Sequence, residues 1–173
     1  MDRPIVLPIE PLRSARLDLE PLSVDHADEA APLFADPALH TYTGGSPAGL
    51  DELRSRYRRQ SVGSSPDGRD SWLNWMLRDR RSGRLVGTVQ ATVTPDRDGP
   101  AADLAWVVAT AHQGQGCARE AAAVVADWLH EHGVHRLRAA IHPDHEASAG
   151  VARGLGLEPT DTVVDGEVRW QRG

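Results

Sequence analysis

The sequence predicts an α/β fold of the mixed kind, one sheet covered by helices, and three observations carry that reading. Strand-like and helix-like apolar patterns follow one another as strand, two helices, three strands, helix, strand, helix, strand pair. A run of strands with helices interspersed buries its faces as a sheet with helices packed on it. The 173 residues suffice for one domain with its own apolar core, without disulfides or metals as staples, and no internal repeat or linker marks a second domain.

Residues 1–15 carry Pro4, Pro8 and Pro11 without periodicity, which predicts an extended arm on the surface or on a second subunit. One domain over 16–173 follows. From Arg16 to Leu22, Leu17 and Leu19 alternate with Arg16, Asp18 and Glu20, the period of a half-buried strand. Ser23 then caps a helix carrying Val24, Ala27, Ala30, Ala31 and Phe34, which breaks at Asp36-Pro37. A second helix starts after Ser46-Pro47, with Leu50, Leu53 and Tyr57 at helical spacing, and frays into Ser61 to Gly68. Trp72 to Leu77, Leu85 to Val93 and Asp103 to Val108 read as an antiparallel meander, separated by turn clusters at 81–83 and 95–100. Trp72 and Trp75 have odd spacing, so they face opposite sides of one strand and only one belongs to the core; the other is a candidate for lining a ligand groove. Gly114 to Gly116 opens a helix whose Ala118, Ala121, Ala122, Val125 and Leu129 share a buried face, with Gly133 as its left-handed terminator. The strand His135 to Ile141 follows. After Pro143-Asp144 come a short helix ending near Gly156 and a strand pair turned at Val164-Asp165-Gly166-Glu167, a two-residue hairpin signal.

Composition excludes several classes. Apolar residues at 40% and charged residues at 25% are ordinary for a globular chain, and the longest apolar runs, such as Leu104 to Ala109, fall far short of a bilayer span, so no membrane partner is expected. A net charge of −6 argues against nucleic acid as a partner, because displacing counterions from phosphates takes a basic stripe; it favours cationic acceptors such as amines. The N-terminus lacks the zoning of a secretory signal and Cys117 has no second cysteine to pair with, so the expected location is cytoplasmic. His130, His132, His135, His142 and His145 are dense but lack the i, i+4 pairing or cysteine partners that zinc sites favour, so no metal is expected. Arg54, Arg56, Arg58 and Arg59 read as a solvated face of the second helix, with contact to an anionic ligand or a phosphate as the functional alternative.

The most informative residues are Gln113-Gly114-Gln115-Gly116-Cys117-Ala118, between a strand and an amphipathic helix. A helix start offers unpaired backbone N–H groups and the positive end of the dipole, enough to hold a pyrophosphate, and glycines let the backbone approach it. Arg119 in the first turn is consistent with an anion there. A triphosphate loop is ruled out by the missing G-x-x-x-x-G-K-[ST] pattern in a chain without lysine. Dinucleotide binding is the runner-up, since Gly114 and Gly116 supply only two of its three glycines, late in the chain. Cys117 in the same loop reads as a small packed side chain, with helix-start activation as the alternative.

These residues resemble the signature Q/R-x-x-G-x-G/A of the GNAT superfamily of acyl-CoA N-acyltransferases. Leu104-Ala105-Trp106-Val107-Val108 looks like that family's fourth strand, and His135 to Ile141, then 142–148, then Gly154-Leu155-Gly156-Leu157 resembles its D-x-x-x-S…L-G-F segment. The resemblance spans about residues 16–171 and is nearest the ribosomal-protein N-terminal acetyltransferase (RimJ/RimL-type) branch. It implies a mostly antiparallel central sheet, splayed at a bulge between its fourth and fifth strands, with acetyl-CoA as cosubstrate and an amine acceptor, either a small molecule or a protein N-terminus, on a monomer or homodimer. By this mapping Trp106, Val107 and Val108 line the pantetheine arm as a neighbouring strand would, a backbone N–H near Val108 stabilises the oxyanion, and Gln113, Gly114, Gln115, Gly116, Cys117 and Ala118 hold the pyrophosphate.

Three departures from the family pattern stand out. His145 replaces an asparagine that contacts the cofactor, Ala152 replaces a tyrosine that protonates the departing thiolate, and Leu157 replaces an aromatic. Ser148, matching a family serine, is the group left to hydrogen-bond the sulfur. An amine of pKa about 8 to 10 must lose a proton before attack; Asp103 and His142, at the ends of the two splayed strands, are the candidate bases, beside relay through water. The missing acid leaves a non-catalytic acyl-CoA-binding module of the same fold as the alternative.

Overall fold

The computed structural model describes residues 6–173; positions 1–5 of the expected arm lie outside the described residues. One eight-stranded sheet runs in the order β1-β2-β3-β4-β5-β6-β8-β7. The strands are β1 Leu12–Arg13, β2 Leu17–Pro21, β3 Ser71–Asp79, β4 Leu85–Thr94, β5 Ala101–Val108, β6 Arg136–Ile141, β7 Glu158–Val164 and β8 Glu167–Arg172. The helices are α1 Ala27–Leu33, α2 Leu50–Gln60, α3 Cys117–Glu131 and α4 Glu146–Gly154. Neighbouring strands are antiparallel except β5 and β6, which run parallel. A parallel pair needs a crossover, and α3 is that crossover. Among the described residues no helix is long and apolar enough to cross a membrane.

The period-2 alternation of the strands divides the core between two helix layers. Trp75, Leu77, Val89, Ala91, Val93, Ala102 and Leu104 pack with Ala121, Ala122, Val125 and Leu129 of α3 and Ala149 and Ala152 of α4. On the other face, Met76 and Leu85 pack with Ala27 and Ala30 of α1 and Leu53 and Tyr57 of α2. Trp75 is fully buried while Trp72 is half-buried, as their odd spacing requires. Ala118 is not on the buried face of α3; Cys117, one position earlier, takes that place at 8% exposure, because it continues the Ala121, Val125, Leu129 row at i, i+4.

Ser23 forms a capping box with His26, accepting from Asp25 N–H while His26 Nδ1 accepts from Ser23 N–H. The first turn there is 3₁₀ before α1 begins. Asp36 and Pro37, expected only to break the chain, open a further 3₁₀ turn over Pro37–His40, with Asp36 accepting from Ala38 N–H. Gly133, at φ 83°, ends α3 with Val134 N–H on Leu129 O, and Asp165 and Gly166 are both left-handed, as a two-residue hairpin demands.

The described part of the arm lies on its own domain. Leu7 N–H donates to Ser71 Oγ, Trp75 Nε1 to Glu10 O, and Trp128 Nε1 to the Glu10 carboxylate, while Leu7, Ile9 and Leu12 pack against the core.

Candidate active site

The site begins where the sheet opens. The β5–β6 ladder runs from Ala101↔Arg136 to Leu104↔Ala139 and stops, while β5 continues to Val108. Along the β4 side the pairing persists to Gly87↔Val108, and Ala109 N–H donates to Val86 O. Antiparallel backbone groups alternate in direction, so those of Trp106 and Val108 turn away from β4 and into the split. Gln113 Nε2 reaches Val108 O there at 3.0 Å. No register shift falls in the β4–β5 ladder. The bulge expected beside the split lies one strand over, between β3 and β4, where Val86 is the extra residue. Gly87, next to it, has no room for a side chain: a Cβ would stand 2.4 Å from Val107 O and 3.1 Å from Val108 Cα.

Beside the split lies the start of α3. Gly114 and Gly116 are left-handed, at φ 76° and 80°, a conformation that glycine adopts without strain. Gly116 is the N-cap and provides no side-chain cap. Glu120 N–H is the first to find an intrahelical partner, Gly116 O at 3.0 Å, which leaves the N–H groups of Cys117, Ala118 and Arg119 for a ligand. One cleft of about 520 Å³ joins the two features, lined by Trp106, Val107 and Val108 of β5, by Gln113, Gly114, Gly116, Cys117, Ala118 and Arg119, by His145 just before α4 and by Ser148 within it. Gln115 is not in that lining; its carbonyl accepts from Arg16 Nη2 at 2.8 Å. Arg16 also holds Glu120 through Nε at 2.9 Å, and Ser14 Oγ donates to the same carboxylate. Burial alone would raise the Glu120 carboxyl, yet the hydrogen bonds from Ser14 and Arg16 outweigh it and hold it below its ordinary value. Burial pushes the Cys117 thiol up, which suits a packed side chain rather than a reactive thiolate.

Ser148 is buried at 9% exposure and accepts from Trp106 Nε1 at 3.3 Å. His145 Nε2 is 3.3 Å from the same Oγ, and the His145 ring stacks on Tyr42 with centroids 4.3 Å apart. Burial, and then the charge of His142, lower the pKa of His145, so the folded protein favours the neutral ring. The unfolded chain binds that proton more readily, so the stability contributed by neutral His145 is complete above about pH 6.5 and is lost as the pH falls through the lowered value. Thermal melts from pH 7.5 to 5 are expected to show Tm falling in that window, and His145→Asn to remove that part of the slope; an unchanged slope would refute the assignment.

The structure does not bring the two expected bases to the cleft. Asp103 is taken by Arg138, with Nη2 on Oδ2 at 2.6 Å and Nε on Oδ1 at 3.1 Å. His142 Nδ1 accepts from Asp144 N–H at 3.1 Å, which puts the proton of the neutral ring on Nε2 and leaves no free lone pair. Neither residue lines the cleft. Among the described residues no three His, Cys, Asp or Glu side chains converge as a metal site would require; His130 and His135 bond each other instead.

Residues 38–43, which carry no periodic signal, prove central. Leu39 and Thr43, together with Val107, line both the cleft and a second cavity of about 200 Å³ on the α1–α2 face of the sheet. His40 lies in that second cavity, and its Nδ1 is 3.1 Å from Gly44 O. A carbonyl only accepts, so Nδ1 carries the proton and Nε2 of the neutral ring is a free acceptor. The one hint in the sequence is the aromatic and glycine cluster Tyr42-Thr43-Gly44-Gly45. Neither Trp72 nor Trp75 lines this second cavity.

Comparison with known proteins agrees with this geometry. Residues 16–158 match the family model of the acetyltransferase (GNAT) domain. The chain is 33% identical over 141 residues to the mycothiol acetyltransferase of Streptomyces bingchenggensis, an alignment that covers 78% of this chain and 41% of that protein. It thus spans less than half the length of that relative. Among solved structures, the acetyltransferase from Agrobacterium tumefaciens has a TM-score of 0.72 at 24% identity, covering 99% of this chain and 98% of that one. RimL, a ribosomal L7/L12 alpha-N-protein acetyltransferase in complex with coenzyme A, has a TM-score of 0.78 at 16% identity, covering 94% and 97%.

Proposed function

This chain belongs to the GNAT acetyltransferase family, and from that premise we propose that it transfers the acetyl group of acetyl-CoA to a primary amine by direct attack in a ternary complex. One observation carries the reading: two cavities on opposite faces of the sheet meet at Val107, Leu39 and Thr43. The larger has the open β5 edge and the unpaired α3 amides that suit a pantetheine arm and a pyrophosphate. The smaller lets an amine reach the same point from the other side. The relative's and neighbours' names, acetyltransferases of mycothiol and of a ribosomal protein, support the class of reaction. The lone buried Cys117 supports a reducing, cytoplasmic setting.

In this reading the pantetheine amides pair with the backbone of Trp106 and Val108, and Val108 N–H meets the oxygen on which charge develops, a donor worth about 2.7 to 4 kcal/mol. His40 Nε2 takes a proton from the acceptor ammonium, and the neutral amine then attacks the thioester carbonyl carbon, the C–S bond breaking as the amide forms. Ser148, anchored by Trp106, hydrogen-bonds the departing sulfur, and a thiol with the ordinary pKa of about 8.5 leaves readily near neutral pH. The two expected bases give way to His40 because both are already paired.

The test is calorimetry with acetyl-CoA, followed by CoA release from a panel of amines and peptides. Binding with turnover of at least one amine is the expected result. Tight binding without CoA release from any of them would favour a non-catalytic acyl-CoA-binding module. For the base, His40→Gln is expected to lower kcat by about 100-fold, within the usual range for general-base catalysis. Acetyl-CoA affinity should hold, and the residual rate should climb with pH toward the pKa of the amine. An unchanged pH–rate profile would remove His40 from the mechanism.

A further inference from the structure

Resting on the transfer reading above, we infer that the acceptor is a small primary amine that also carries an oxyanion, a carboxylate or phosphate, held at the far end of the second cavity by Arg56, Tyr57 and Gln90. Three features of that cavity lead there.

Besides His40 and Thr43 at the end where the two cavities meet, its polar lining is made of groups that can donate: the Arg56 guanidinium, the Tyr57 hydroxyl, the Gln60 and Gln90 amides, and the Thr88 hydroxyl. Among the described residues no Asp or Glu lines it. A site for a polycationic amine or an aminoglycoside needs carboxylates to replace the lost hydration of its ammonium groups, and a net charge of −6 makes their exclusion from this one place a matter of local chemistry.

The donors are also set and waiting. Leu53, Arg56, Tyr57 and Gln60 sit at i, i+3, i+4 and i+7 of α2, one face of the helix. Thr88 and Gln90 are on the face of β4 opposite Val89 and Ala91, which are buried beneath α3. Tyr57 is 5% exposed, yet its hydroxyl has no hydrogen-bond partner among the described residues and is not sealed in the core. Burial pushes the Tyr57 phenol up to about 12, so it stays protonated and donates. Among the described residues Arg56 has a single partner, Glu52, at 3.6 Å on the exposed side of α2, which leaves donors of its fork for a ligand.

The third feature is size. A space of about 200 Å³ corresponds to about seven water volumes, which fits a compact acceptor whose amine reaches Val107 and His40 while its anion meets Arg56.

The experiment compares matched acceptors by CoA release: an α-amino acid series, the corresponding amides and decarboxylated amines, aminoalkyl phosphates, and short peptides with free N-termini. We expect carboxylated or phosphorylated amines to have kcat/KM at least about 30-fold above their uncharged partners, the loss typical of an unpaired charged hydrogen bond. The carboxylate and phosphate arms decide which anion is preferred. Arg56→Gln is expected to raise KM for the anionic acceptor by about 30-fold, with acetyl-CoA affinity by calorimetry showing that the fold is intact, and Arg56→Lys to recover part of the loss. Equal or better turnover of decarboxylated amines or peptides overturns this inference while leaving acetyl transfer standing. Binding of acetyl-CoA without release by any acceptor overturns both.

Discussion

Ala118→Glu is expected to weaken acetyl-CoA binding by about 100-fold while leaving Tm equal or slightly higher. The two effects have opposite signs because they arise from the same partial charge. Ala118 is the second residue of α3 and lines the cleft, where the N–H groups of the first turn are unpaired. A carboxylate in that turn complements the dipole, by about 0.3 to 1 kcal/mol. The same carboxylate would occupy the place proposed for the pyrophosphate and repel it, and a 100-fold loss corresponds to about 2.7 kcal/mol. Calorimetry and thermal melts on one preparation measure both quantities. Unaltered affinity, with the fold intact, would detach the α3 start from the cosubstrate and with it the central claim about the cleft.

Gly87→Ala tests the other half of the site. A methyl group there would stand 2.4 Å from Val107 O, so β4 and the end of β5 must part. Overpacking of this kind costs about 1 to 3 kcal/mol, or a fall in Tm of about 2 to 10 °C for a chain of this size. The larger effect is on catalysis: a displacement of about 1 Å in the Val107–Val108 backbone is expected to lower kcat/KM by about 10- to 100-fold. Steady-state kinetics at saturating acetyl-CoA would reveal it; wild-type kcat/KM would mean that the Val108 amide does not act in the reaction.

Local patterns are legible wherever one face of an element is buried by its own periodicity. Leu17 and Leu19, Val89 and Ala91, and Ala121, Val125 and Leu129 all lie where their spacing predicts, and the Gly114–Gly116 turn announces the α3 start through residues adjacent in the chain. What eludes the sequence depends on partners far away in it. Asp103 looks free until Arg138 arrives from β6, 35 residues on. The arm is held by single hydrogen bonds to Ser71, Trp75 and Trp128 and by Leu7, Ile9 and Leu12 on the core, partners that lie far from it in the sequence. Residues 38–43 form neither strand nor α-helix, and their importance comes only from where two cavities happen to meet. Ala118 differs from its expected place by one position, the limit of precision for a helix start read from sequence.

The contact of Ser14 and Arg16 with Glu120 and Gln115 ties the first turn of the crossover helix to a stretch of chain that would ordinarily be judged expendable. Coupling is reciprocal: if the α3 start holds the cosubstrate as proposed, a tag, a fusion or trimming that dislodges this stretch is expected to weaken that binding, and occupancy of the cleft to pin the stretch down. A protease probing the N-terminal region would therefore report, from outside, whether the cleft is occupied.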